Sequence, residues 1–167
     1  MQLAFYKGRT RLFNRFVCWW TAGPYSHVEA MFESCLFEHA QEHLCASSSF
    51  LDGGVRFKRI VLDPAKWDIL DVPTLSGSQS RQWFNTHTGH PYDVLGLLST
   101  SCPIRHSRLA WFCNEAIGAS AGLQEAWRFN PNSFARLCES LPGARWIQGG
   151  MPADPSFSPV VLPYPPA

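Results

Sequence analysis

The sequence predicts an α+β domain, and three observations carry that prediction. Over residues 27–33 and again over 55–60, apolar and polar residues alternate, the period of half-buried strands. Beyond residue 78 the texture changes to apolar residues at helical spacing, with Trp83 and Phe84 on the apolar side of a helix over 78–88. A helix and a meander of strands come first and helices follow, the segregated order of an α+β chain. The 167 residues suffice for one domain with a real core. We expect that domain over 1–150, followed by a Pro-rich tail over 151–167.

Leu3–Tyr6 reads as a short strand ending at Gly8. Apolar residues at 12, 13, 16, 17 and 20 predict a helix over 10–20, broken by Gly23-Pro24. From His27 to Glu33, Val28, Ala30 and Phe32 alternate with His27, Glu29 and Glu33, so a strand there shows His27 and Glu29 on one side. Short strands are expected at 36–37 and 44–49 around a polar turn, then at 55–60 after Asp52-Gly53-Gly54, and at 68–72 before Pro73. Helices are expected over 93–98, over the small-residue stretch after Cys113 closed by Gly122, and over 133–141 with Asn132 as its cap. The tail, with six of the thirteen prolines, cannot form regular helix or an interior strand.

Composition excludes several classes of function. The net charge is +1 with no basic stripe, so nucleic-acid binding has no electrostatic footprint. No stretch approaches the ~18 apolar residues of a membrane span, and no amphipathic membrane-binding helix or terminal anchor stands out. Charge at Lys7 and Arg9 precedes any apolar run of signal-peptide length, so a cytoplasmic protein with reduced thiols is expected.

Chemistry is sought in the cysteines and histidines. Cys113 stands where the apolar approach Trp111-Phe112 turns into a helix, and thiols at helix starts can titrate at roughly 3.5–7.5 instead of about 8.5. His27 is the best-placed base, on the polar side of its strand, with Glu29 two residues on to orient it. Locally, each has a plainer explanation: a solvated strand face for His27 and Glu29, a core thiol for Cys113. Cys35, His39, His43 and Cys45 are of metal-binding type, and on one helix 35, 39 and 43 would share a face. Strand-like flanks and a spacing that matches no standard zinc pattern argue against it, so no metal or other cofactor is expected. No Gly-x-Ser-x-Gly elbow is present for a serine hydrolase.

Three segments together resemble one family. Tyr25-Ser26-His27-Val28-Glu29 resembles its Ser-His-Val motif, Gly89-His90-Pro91-Tyr92-Asp93 its Gly-x-Pro-Tyr-Asp motif, and Phe112-Cys113-Asn114-Glu115 its Phe-Cys-Ser-Glu motif. The family is the permuted papain-fold branch of the NlpC-type cysteine peptidase superfamily, in which the histidine strand precedes the cysteine helix, as here. The resemblance spans roughly 3–140 in architecture, though its specific motifs amount to about fifteen residues. It implies a small antiparallel sheet packed against helices, with Cys113 as nucleophile and His27 as general base and then acid. The Cys113 backbone N–H would serve an oxyanion hole. It leaves the third, orienting residue among Glu29, His39 and Ser49, and puts Tyr25, Asn114 and Tyr92 at the substrate cleft. Asn114 departs from the family's usual serine.

The function expected is hydrolysis of an amide bond through a thioester, with peptidoglycan stem peptides as first substrate class and delivery by a phage or secretion machine. The alternatives are a lipid acyltransferase or phospholipase of the lecithin–retinol acyltransferase type, which shares the permuted order, and an inactive binding module of the same fold. Oligomeric state is not legible in the sequence.

Overall fold

A computed structural model describes residues 1–37, 40–99 and 109–152. They form an α+β architecture: a six-stranded antiparallel sheet and five α-helices. In chain order these are β1 (Gln2–Tyr6), α1 (Leu12–Trp20), β2 (His27–Phe37), β3 (Ala40–Ser49), β4 (Gly54–Val61), β5 (Trp67–Asp71), α2 (Gly77–His87), α3 (Val94–Ser99), α4 (Cys113–Ser120), α5 (Pro131–Glu139) and β6 (Arg145–Gln148). A single 3-10 turn, Ala126–Arg128, links α4 to α5. The strand order is β4-β3-β2-β1-β5-β6.

Alternation along the strands sorts side chains onto two faces. Leu3 and Phe5 of β1, Val28 and Ala30 of β2, and Val55 of β4 pack in the main core with Phe84 of α2, Ile117 of α4 and Phe134 of α5. The opposite face carries a smaller cluster in which Ala4, Met31 and Cys45 meet Trp67 and Ile69. His27, Glu29 and Arg56 are in phase with that second face.

Several expectations need correction. The two short strands expected at 36–37 and 44–49 belong to longer ones, since 36–37 ends β2 and β3 begins at Ala40. β6 was not expected: its exposure alternates weakly, and it is held by pairing with β5. The last helix is capped by Asn130 rather than Asn132, because Pro131 takes the first helical position, where its missing N–H and fixed φ are harmless. Asn132 is buried and grips the chain just ahead of β2. Its Oδ1 accepts from Tyr25 N–H at 2.9 Å, and its Nδ2 donates to Tyr25 O at 2.9 Å and Thr21 Oγ1 at 2.6 Å. Gly23 permits this approach, since a Cβ there would lie 2.3 Å from the Asn132 side chain.

α1 also departs from its periodicity. Val17 and Cys18 are its buried residues, whereas Leu12, Phe16 and Trp19 are 80%, 42% and 73% exposed. A helix that is apolar on nearly every side gives the pattern no single face to choose. No helix among the described residues is long and apolar enough to cross a membrane.

Candidate active site

Cys113 is the first residue of α4, where the helix leaves its opening N–H groups without intrahelical partners. Phe112 cannot cap with its side chain; instead the Phe112 N–H donates to Glu115 Oε2 at 3.4 Å, half of a capping box. The approach to Cys113 is pinned by the 89–93 segment. Trp111 N–H donates to Pro91 O at 3.0 Å, Asp93 N–H donates to Trp111 O at 3.1 Å, and Ser48 Oγ of β3 donates to Trp111 O at 2.5 Å. Val55 N–H of β4 donates to His90 O at 2.9 Å. Gly54, with φ +152, allows the two backbones to meet, because a Cβ would lie 2.0 Å from His90 O. Sheet and helix start are thus sewn together through one connecting segment.

His27 opens β2, and its ring lies within electrostatic reach of the Cys113 sulfur. Its Nε2 lies 2.7 Å from Glu29 Oε1, which leaves Nδ1 as the ring nitrogen not committed to the carboxylate. Glu29 is 1% exposed and is not on a solvated face. Arg56 of β4 clamps it from behind with two parallel bonds, Nη1 to Oε2 at 2.7 Å and Nη2 to Oε1 at 2.6 Å. Arg56 Nε donates in turn to Asp52 Oδ2 at 2.8 Å, and Lys58 holds the other Asp52 oxygen at 2.8 Å.

The register of three strands explains the clamp. Ala30 of β2 faces Ala46 of β3, so Glu29, one residue on, aligns with Ser47, and Ser47 faces Arg56 of β4. The small serine, its hydroxyl turned to Val28 O at 2.7 Å, leaves Arg56 room to reach across β3.

Charge follows from these contacts. Burial alone would raise the Glu29 carboxyl, but Arg56, and after it His27, hold it down to about 2. Burial works against a charged His27 ring, yet Glu29 and then the Cys113 sulfur outweigh it and lift the ring to about 9. At neutral pH the imidazolium therefore faces the sulfur, with a carboxylate behind it and a guanidinium behind that. Burial pushes the Cys45 thiol up strongly and the Cys138 thiol to about 12, while Cys18 is also raised. These are inert core thiols.

A cleft of about 400 Å³ opens beside His27 and Glu29, walled by Phe13, Phe50 and Tyr92 and by the cations of Arg11, Lys58 and Arg59. Tyr92, which packs with Phe112 and Leu97, keeps its phenol proton: burial, the Cys113 sulfur and Asp93 all raise it.

Of the residues expected to line the cleft, only Tyr92 does so. Tyr25 is wholly buried in the main core, with its hydroxyl donating to Asp68 Oδ2 at 2.7 Å. It precedes β2, so the alternation that sets His27 and Glu29 on one side does not extend to it, and its ring packs with the main core. Asn114 is also wholly buried, its Nδ2 donating to Phe129 O at 2.6 Å and its Oδ1 lying 3.7 Å from Cys113 Sγ. It fastens α4 to the segment before α5 and is a structural amide. Ser49 lines the cleft but is turned to Asp52 N–H, 3.4 Å away, and His39 lies outside the described residues.

The residues of metal-binding type have no helix to bring them onto one face: 35 lies in β2 and 43 in β3, and no group of three His, Cys, Asp or Glu that could hold a metal ion forms among the described residues. Residues 102 and 106 and the tail from 153 lie outside the described residues. Sequence reasoning missed Arg56, whose only local signal is a polar position in an alternating strand, and Asn132, which was taken as a cap. No family model, curated protein or solved structure matches this chain.

Proposed function

We propose that this protein is a cysteine hydrolase of the permuted papain-like fold, cleaving an amide bond with Cys113 as nucleophile. The observation that carries the reading is the hydrogen-bonded row His27–Glu29–Arg56 set within electrostatic reach of the Cys113 sulfur: a proton carrier beside a nucleophile, and a buried carboxylate that fixes the carrier's orientation. The order of histidine strand and cysteine helix also supports it.

The chemistry is acyl transfer. Sγ attacks the carbonyl carbon, and the oxyanion is met by the Cys113 N–H and the Tyr92 O–H. The C–N bond breaks as His27 gives its proton to the leaving amine, and a thioester remains. His27 then takes a proton from water as the water oxygen attacks the thioester; the C–S bond breaks, the acid departs, and Sγ is released as the anion beside the restored imidazolium. Glu29 keeps the ring turned and offsets its charge, as the carboxylate of a serine-protease triad does. Peptidoglycan stem peptides remain the first substrate class. A second reading, acyl transfer on lipid esters, is favoured by the exposed apolar face of α1 beside the cleft.

Iodoacetamide is expected to label Cys113 faster than Cys18, Cys45 and Cys138 near neutral pH, and His27→Ala should slow that labelling. Equal rates at all of them would overturn the enzymatic reading. Muropeptides and phospholipids offered to the wild type and to Cys113→Ala separate the two substrate classes; turnover of lipid alone would overturn the peptidase assignment.

A further inference from the structure

The face of α1 that points away from the core is an interaction surface. Leu12, Phe16 and Trp19 fall at i, i+4 and i+7, one stripe of the helix, and the Phe16 and Trp19 rings lie 6.1 Å apart. The stripe forms one wall of a shallow groove completed by Ala22, Gly23 and Pro24. Three large apolar side chains in one exposed row are unlike the scattered single residues of an ordinary surface.

The charge around this row is of one sign. Among the described residues, Arg9 and Arg15 line the groove and no acidic residue does. More widely, residues 1–28 hold four lysine and arginine side chains, Lys7, Arg9, Arg11 and Arg15, and no Asp or Glu. Lys7 is tied to Asp68 at 2.5 Å, which leaves the arginines to dominate the helix surroundings. Trp, Phe and Leu on one face with arginine beside them is the composition of a helix lying in a bilayer interface. A second copy of the chain fits less well, because a twofold contact would set these cations against themselves.

We propose that α1 docks the protein on an anionic lipid surface, Leu12, Phe16 and Trp19 entering the headgroup region and Arg9 and Arg15 meeting lipid phosphates. The inference is independent of the catalytic reading, since none of these five side chains belongs to the Cys113–His27–Glu29–Arg56 row. Arg11, Phe13 and Asn14, from the same segment, line the cleft, so the docking helix also forms part of the cleft wall.

The test is flotation of the full-length protein with phosphatidylcholine vesicles containing about a third phosphatidylglycerol, against vesicles of phosphatidylcholine alone. Binding to the anionic vesicles is expected, weakening as salt rises. Arg15→Gln should weaken it roughly fivefold. Leu12→Asp/Trp19→Asp should abolish it, while leaving the circular dichroism spectrum and the Cys113 labelling rate unchanged. A full-length protein that does not float with anionic vesicles overturns the proposal, as does equal binding by the double variant. A dimer in light scattering that the double variant dissolves would assign the face to a second copy and overturn it too. Cys113 labelling in the same samples keeps failure of docking distinct from failure of the catalytic reading.

Discussion

Two buried glutamates stand close to the two ends of the candidate site, and at neutral pH one is ionised and the other neutral. Glu29 and Glu115 are 1% and 3% exposed, so burial penalises ionisation at both. Glu29 meets Arg56 in a bidentate pair and His27 beyond it, and its carboxyl is held at about 2. Glu115 faces a backbone N–H and lies near Asp93, and burial first, with Asp93 adding to it, lifts it to about 8. Partners rather than depth decide which glutamate is a charge. The ionised one orients His27, and the neutral one closes the start of the cysteine helix without setting a negative charge beside the sulfur.

Breaking the Glu29 end should have the largest effect. Arg56→Met leaves a buried carboxylate with only His27, and a loss of about 3–5 kcal/mol in denaturant unfolding is expected. A loss below ~1 kcal/mol would mean that the clamp is not formed in solution.

Glu29→Gln is the milder cut, because Arg56 keeps Asp52 as a partner. It should cost about 2 kcal/mol and return the His27 ring from about 9 toward the ordinary value of 6.5, read by NMR titration. The linkage has a definite sign. The raised His27 value contributes stability below about 6.5 that is lost as pH rises through about 9. The lowered Glu29 value contributes stability above about 4.5 that is lost as pH falls toward 2. Wild type should therefore weaken at both extremes, and Glu29→Gln should flatten both limbs.

The smallest effect lies at the other glutamate. Its raised value means that the fold is favoured below about 4.5 and loses that contribution as pH rises through 8. Glu115→Gln should leave stability unchanged at pH 4 and gain on the order of 1 kcal/mol near pH 9. A loss at high pH would show that the carboxylate is ionised and paired.

The same contrast separates what was legible from what was not. Period-two alternation put His27 and Glu29 on one side of a strand, and the small-residue run after Cys113 announced a helix start; both are local patterns, and β2 and α4 carry them. Nothing local told a solvated strand face from a buried one, because that depends on what another strand lays over it. The resemblance set Tyr25 at the cleft, but it lies ahead of β2, and packing buries it in the main core. Asn114 looked like a substrate contact until Phe129 O was found 2.6 Å from its amide, fifteen residues along the chain.

By itself the sequence determined the α+β class, the run of strands β2–β5 ahead of helices α2–α5, and the residue types at the helix start and the strand start that carry Cys113 and His27. These follow from periodicity and chain-local chemistry, which act over a few residues. Only the tertiary structure decided that Arg56 and not solvent covers Glu29. That required the β2–β3–β4 register, with Ser47 small enough to reach across, and register is a property of paired strands rather than of any one of them. The helix α1 carries the same lesson outward. Its apolar residues were plain in the sequence, but which of them would be left facing water was settled by packing of Val17 against Leu97 and Phe112.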